Sequence, residues 1–346
     1  MKSISQATVM GAGVIDLKEI KRQKGTIKSG KDSSLLDLGD GVACLEFHSR
    51  NDVAGEDLAE MIRFSLAEVE KNWAGRVIGH QGRNFCVGAD LKRFVSRIES
   101  QDWSGIENEV KDIQDAFLKL KYCTRPVVAA PHGLAYGGGA EILLSSPRIR
   151  AAAGLSMGLV EPRVGLVPAA GGVKELTLRS LENLPEAVNA DPVPFLKKTH
   201  ERLCLAAASR NAHEAGEMGY LRNTDGISMN RDGLLGEAKE TVLHLSKLGY
   251  VPPVPKKIMV PGRNGCATLK MTTYFLRHGG FITDYSAFIG DKLAYIMTGG
   301  DLPGKSLVDE QYLLDLELEV FMELVKEPQT QDRIRYMLEK GKPLLN

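Results

Sequence analysis

Residues 126–144 read Pro126-Val127-Val128-Ala129-Ala130-Pro131-His132-Gly133-Leu134-Ala135-Tyr136-Gly137-Gly138-Gly139-Ala140-Glu141-Ile142-Leu143-Leu144. The apolar run Val127 to Ala130, held between two prolines, predicts a short buried strand. A glycine-rich turn follows, and Glu141-Ile142-Leu143-Leu144 predicts a helix. An upstream stretch repeats the plan: Val77-Ile78 predicts a strand, Arg83-Asn84-Phe85-Cys86-Val87-Gly88-Ala89-Asp90 a turn, and a helix opens near Asp90. Ala89 and Gly138 lie 49 positions apart, which suits successive strand–helix units of one sheet.

Outward from this pair the alternation continues. Val42 to Phe47 predicts a strand. Leu58, Met61, Ile62, Leu66 and Val69 recur at helical steps, as do Ile106, Val110, Ile113 and Phe117. Strand, turn and helix alternate to about residue 180, so the fold class is α/β. Beyond that, helical patterns dominate over 197–208, 211–218, 231–247, 283–298, 305–325 and 329–340. Three prolines within Gly249-Tyr250-Val251-Pro252-Pro253-Val254-Pro255 break the chain. The expected organisation is a lead-in over 1–37, extended across 16–34, a catalytic domain over 38–250, and a helical extension over 251–346. The apolar stripe Leu313, Leu314, Leu316, Val320, Phe321 and Leu324 predicts core or a subunit interface.

Composition narrows the function classes. The 346 residues carry 44 basic and 44 acidic side chains, a balance that argues against nucleic acid as a partner. Five scattered cysteines without a CxxC pair suit free thiols in a reducing cytosol, so a cytoplasmic location is expected. No HExxH or paired Cys/His spacing occurs, and no metal site is expected. No run of 18 uncharged apolar residues suggests a membrane span. Gly11-Ala12-Gly13 begins like a dinucleotide fingerprint, but Asp16 stands where the third glycine belongs and no strand precedes it. Gly154-Leu155-Ser156-Met157-Gly158 matches a nucleophile-elbow pattern without the helix that an elbow requires. No phosphate-binding P-loop pattern is present. His213-Glu214 falls in a polar helical stretch and reads as a solvated face.

Glycine is the one excess, at 36 residues. Backbone N–H groups without partners gather at helix starts, and glycine lets a ligand approach them closely. Two such turns side by side would aim two N–H groups at one oxygen. Two simple strand-to-helix turns would leave the same glycines, and composition does not choose between these readings.

The blocks themselves choose. Asn84 to Leu91, then Arg125 to Ala130 leading to Gly137-Gly138-Gly139-Ala140-Glu141, resemble the crotonase (enoyl-CoA hydratase/isomerase) superfamily. Met157-Gly158-Leu159-Val160-Glu161, Gly165 to Gly172 and Asn211 to Tyr220 continue the resemblance in the family's order. It covers about residues 38–247 and implies a crotonase-like (ClpP/crotonase) spiral core of repeated strand–turn–helix units. Tyr250 with its proline-rich break, Asp309 to Asp315 and Gly341 to Asn346 resemble a narrower set: bacterial proteins in which a 3-hydroxyacyl-CoA dehydrogenase is fused ahead of an enoyl-CoA hydratase. The chain looks like their hydratase half.

The resemblance implies a 2-enoyl-CoA hydratase of β-oxidation type. Its two oxyanion N–H groups fall on Ala89 and Gly138, and its two carboxylates on Glu141 and Glu161. CoA contacts fall on Cys86, Val87, Gly88, Asp90, Lys92 and Gly137, with Arg93 a second candidate for phosphate. No cofactor is implied, because CoA belongs to the acyl-CoA substrate. A homotrimer or hexamer is implied, and a separate dehydrogenase chain is a candidate partner. The alternative within the family is a Δ3,Δ2-enoyl-CoA isomerase, which needs only one base. Two departures stand out: Val160 occupies a position where the family often has proline, and His48 to Asp52 replaces the usual Asn-Arg-Pro start.

Overall fold

The computed structural model describes residues 13–182, 184 and 190–346. Gly11 and Ala12 lie outside the described residues. The strands are β1 (Thr26–Ser29), β2 (Ser33–Asp37), β3 (Val42–Phe47), β4 (Gly75–Ile78), β5 (Val127–Ala129), β6 (Leu134–Tyr136), β7 (Arg148–Ala152), β8 (Ser156–Gly158), β9 (Gly226–Ser228), β10 (Ile258–Val260) and β11 (Ser306–Val308). A seven-stranded sheet runs in the order β1-β2-β3-β4-β5-β7-β9. The first three strands pair antiparallel and the rest parallel, in registers such as Leu45 opposite Ile78 and Val77 opposite Val128.

Both faces of this sheet are covered, as parallel strands require. Leu35, Ala43, Leu45, Ile78, Val127 and Ala129 point into the larger core, with residues of helices Leu58–Asn72 and Trp103–Lys121. Their strand neighbours Leu36, Val42, Cys44, Val77 and Val128 point the other way, onto Leu234, Leu235, Ala238 and Val242 of helix Leu234–Lys247. The two-residue period of a strand produces this split. All five cysteines are buried and unbridged.

A small second layer lies beside the main sheet, and it positions the site. Segment 85–86 pairs in parallel with β6 through Cys86 and Ala135, β6 pairs in parallel with β8, and Ala54 bridges to Ala89. Ser156 sits on β8, where its Oγ donates to Ser209 O (2.5 Å) and meets the Tyr136 hydroxyl (2.8 Å). A hydroxyl fixed on a strand is no nucleophile elbow.

Elsewhere the structure corrects the sequence reading. The lead-in is not extended throughout. Asp16 caps helix Leu17–Arg22 by accepting from the Lys18 and Glu19 N–H groups, and β1 and β2 then join the main sheet. The expected helix over 305–325 begins only at Glu310, because Ser306 to Val308 pair with β10 and Asp309 caps the helix at Tyr312 N–H. Helix Gly262–His278 carries no stripe marked in the sequence reading.

The remaining extension helices are Asp284–Met297, Glu310–Leu324 and Pro328–Lys340. Leu313, Leu314, Leu316, Val320, Phe321 and Leu324 are all buried, and Phe321 packs edge-on against Phe94 with ring centroids 5.9 Å apart. Buried ion pairs fix the same helix to the core. Glu310 Oε2 meets Lys121 Nζ at 2.9 Å and Lys174 Nζ at 2.8 Å, and both ammonium groups also reach Glu175 Oε1. Burial works against ionisation of Glu175, yet Lys174 and Lys121 hold its carboxyl well below the usual range.

Removing one partner from such a cluster strands buried charge at a cost of about 3–5 kcal/mol. Glu310→Gln is therefore expected to lower the urea unfolding free energy by about that amount at pH 7. The exposed control Glu339→Gln should stay within about 0.5 kcal/mol.

Candidate active site

The two glycine turns meet through backbone. Phe85 N–H donates to His132 O (3.0 Å), Cys86 N–H to Leu134 O (3.1 Å), Tyr136 N–H to Cys86 O (2.9 Å) and Gly137 N–H to Gly158 O (3.0 Å). Gly88 and Gly137 have φ of 106° and 54°, values that side chains disfavour. A Cβ on Gly139 would stand 2.3 Å from the Cys86 carbonyl oxygen, so only glycine lets helix Gly138–Leu144 lie against segment 85–89. The result brings Ala89 and Gly138 to one place. Among the described residues neither N–H has an acceptor, and a Cβ on Gly138 would meet nothing within 4 Å.

Glu141, one turn into that helix, is buried. Its Oε1 accepts from Ala170 N–H (2.8 Å) and Gly172 N–H (2.9 Å), and its Oε2 has no partner among the described residues. Glu161 opens the short helical turn Glu161–Val164, three residues beyond β8. A Cβ on Gly137 would lie 2.9 Å from Glu161 Oε1. Glu161 Oε2 is buried without a hydrogen-bond partner. Burial pushes the Glu141 carboxyl up to about 7, against the pull of the two N–H groups and Lys174. Burial, and then the charge of Glu141, push Glu161 well above the usual carboxylate range.

The other sequence-predicted residues divide by contact. The Cys86 thiol is buried and pushed up to about 11 by that burial. Asp90 caps helix Leu91–Glu99 by accepting from Lys92 N–H (3.0 Å). The Lys92 side chain is exposed and makes no ion pair among the described residues. Arg93 is engaged by Glu109 at 3.0 Å. The departure at His48 to Asp52 forms a short turn against the site: Val87 N–H donates to Asp52 O (2.8 Å), and Asp52 Oδ2 accepts from Asn84.

Other site supports went unread in the sequence. The Tyr220 hydroxyl accepts from Leu159 N–H (3.2 Å), two residues before Glu161. From the extension, Thr330 Oγ1 donates to Gly165 O (2.6 Å) and Arg333 Nη1 to Pro162 O (2.8 Å), so both grip the turn carrying Glu161. Glu317 lies near enough for the Glu141 charge, after burial, to push its carboxyl up. It had a legible signal, since it lies four residues after Leu313 and four before Phe321, an acid inside an apolar stripe.

Two turns packed together, each with an N–H that has no acceptor among the described residues, and the carboxyls of Glu141 and Glu161 nearby make up the candidate site. The profile of the family described as Enoyl-CoA hydratase/isomerase matches residues 37–183. The chain belongs to the crotonase superfamily. The "Probable 3-hydroxyacyl-CoA dehydrogenase" of Bacillus subtilis (strain 168) is 42% identical over 332 residues, 96% of this chain and 41% of that protein. The "Fatty acid oxidation complex subunit alpha" of Colwellia psychrerythraea is 33% identical over 154 residues, 43% of this chain and 21% of that one. This chain thus spans well under half the length of either relative. The enoyl-CoA hydratase structure from Bacillus halodurans has the same fold, with a TM-score of 0.57 at 14% identity over 88% of this chain and 99% of that chain.

An unpartnered buried carboxylate destabilises the fold that holds it. A carboxyl raised in the folded state takes up a proton on folding, so stability falls as pH rises above the unfolded value near 4.3. Glu161→Gln removes that cost and the repulsion with Glu141. It is expected to raise the Tm by a few degrees at pH 8 and by little at pH 4.5, measured by calorimetry.

Proposed function

We propose that the chain hydrates 2-enoyl-CoA thioesters, adding water across the C2–C3 double bond in fatty acid β-oxidation. The observation that carries this reading is the pair Glu141 and Glu161, one oxygen of each without a partner, beside two unengaged N–H donors. As water attacks C3, negative charge moves onto the thioester oxygen. Ala89 and Gly138 N–H donate to that oxygen, and losing one such donor typically costs roughly 10²–10³ in rate. One carboxylate takes a proton from the attacking water and a proton is delivered to C2. With both groups raised, the pair retains a shared proton near neutral pH, which is the state that this chemistry uses. CoA enters as part of the substrate and no separate cofactor takes part.

The dehydrogenase named in the Bacillus subtilis relative supports a second element of the proposal: the hydratase works with a 3-hydroxyacyl-CoA dehydrogenase, which consumes its product. Assembly as a homotrimer or hexamer is proposed with it, and light scattering reads the mass directly.

Parallel ultraviolet assays with a 2-enoyl-CoA and a 3-enoyl-CoA separate hydration from isomerisation. Glu141→Gln and Glu161→Gln are each expected to lower hydration kcat by about 10²–10⁴. Near-wild-type hydration in both variants would discard the assignment. Because a carboxylate must be ionised to act as base, kcat/KM should fall as pH drops, with its acid limb well above the ordinary glutamate value near 4.3.

A further inference from the structure

Helix Glu310–Leu324 places one acid, Glu317, on its apolar face, and nothing in the chemistry above uses it. Glu317 is fully buried. Its Oε2 accepts from Gly171 N–H (2.8 Å) and its Oε1 from Lys174 N–H (2.6 Å). The Lys174 ammonium is turned elsewhere, to Glu175 at 2.5 Å and Glu310 at 2.8 Å. Backbone alone therefore holds the Glu317 carboxylate.

Those two donors interleave with the two that hold Glu141. Along the chain, Ala170 N–H goes to Glu141, Gly171 N–H to Glu317, Gly172 N–H to Glu141 and Lys174 N–H to Glu317. Helix Gly172–Leu181 thus divides its amino-terminal donors between two carboxylates from different elements. Without Glu317, Gly171 N–H and Lys174 N–H would be buried and unmet, a cost that favours rotating the turn. Gly171, at φ 104°, offers little resistance to such a rotation.

We propose that Glu317 is a positioning residue for Glu141: by holding Gly171 and Lys174 N–H it fixes the turn so that Ala170 and Gly172 N–H both reach Glu141 Oε1, leaving Oε2 for the reacting water. This rests on the acid–base reading of Glu141 given above. The charged groups facing Glu317 are Glu141 on its helix, Glu161 on its turn and Lys174, with Lys121, Glu175 and Glu310 forming the ion cluster beyond. Burial, and then the charge of Glu141, push the Glu317 carboxyl well above the usual range, so the two acids face each other across this turn.

The test is Glu317→Gln in the full chain. Misplacement of a reacting group by about 1 Å can cost roughly 10²-fold, so kcat for 2-enoyl-CoA hydration is expected to fall by about 10- to 100-fold with KM within about threefold. The acid limb of the pH profile should move to higher pH, because a turned segment takes away the Ala170 and Gly172 N–H groups that pull the Glu141 carboxyl down. Carbon-13 titration of the Glu141 carboxyl, assigned with Glu141→Gln, should show the same displacement, with altered Ala170 and Gly172 amide shifts. A purely structural role would lower Tm and leave the limb and the titration where they are, which would overturn the proposal. If the wild-type protein hydrates no 2-enoyl-CoA, the functional reading fails, and the Glu141 titration alone decides the positioning role. Should Glu317→Gln not fold, Glu317→Asp keeps the carboxyl with a shorter reach. It is expected to lower kcat and to move the limb in the same direction by less, and unchanged kcat there would overturn the proposal.

Discussion

The site depends on one close backbone contact, Gly139 against the Cys86 carbonyl. No Cβ fits there, and the Tyr136 N–H bond to the same carbonyl locks the two segments in register. Through this contact two turns 49 positions apart lie side by side, and neither Ala89 nor Gly138 N–H has an acceptor among the described residues. Main-chain donors have no rotamers to lose, so the arrangement is set before any ligand arrives. The neighbouring glycines have other tasks: Gly88 and Gly137 supply backbone angles, and Gly137 also clears space for Glu161.

Helix Gly172–Leu181 separates two electrostatic regimes. On one side Lys121 and Lys174 neutralise Glu175 and Glu310, so the acids stay ionised and secure the extension. On the other side Glu141, Glu161 and Glu317 are buried near one another with no cation salt-bridged to them among the described residues. Backbone N–H groups compensate Glu141 and Glu317, and nothing compensates Glu161 Oε2. Burial, and for Glu161 and Glu317 also the charge of Glu141, push all three carboxyls up. Holding these carboxyls buried without a cation lowers folding stability.

The sequence showed what local pattern encodes. Val42 to Phe47, the helix from Leu58 and the turns before Asp90 and Glu141 follow from alternation, helical spacing and glycine. Their meeting in one site does not, because the β6–β8 layer is made by long-range pairing of very short strands with no distinctive period. The extended lead-in was misread because Lys, Gly and Ser dominate it, while the Asp16 cap and a buried Leu17 decide for a helix. β11 was read as helix because Leu307 and Val308 sit next to a strongly helical stripe. Glu317 was hidden for the opposite reason, since the apolar residues around it describe the stripe so well that its one acid goes unweighed.

That acid changes the standing of the extension. Thr330 and Arg333 hold the turn of Glu161, Glu317 shares the donors of Glu141, and Gln114 Nε2 ties Ala169 O to Leu314 O across the seam. Thr330 and Arg333 land within four residues of Glu161, and the N–H groups held by Glu317 alternate with those held by Glu141. A helical layer added only for stability would bury apolar surface and leave the site's backbone to the core. Here three polar residues from the extension reach that backbone, so residues 310–333 are tied physically to the turns around the two glutamates.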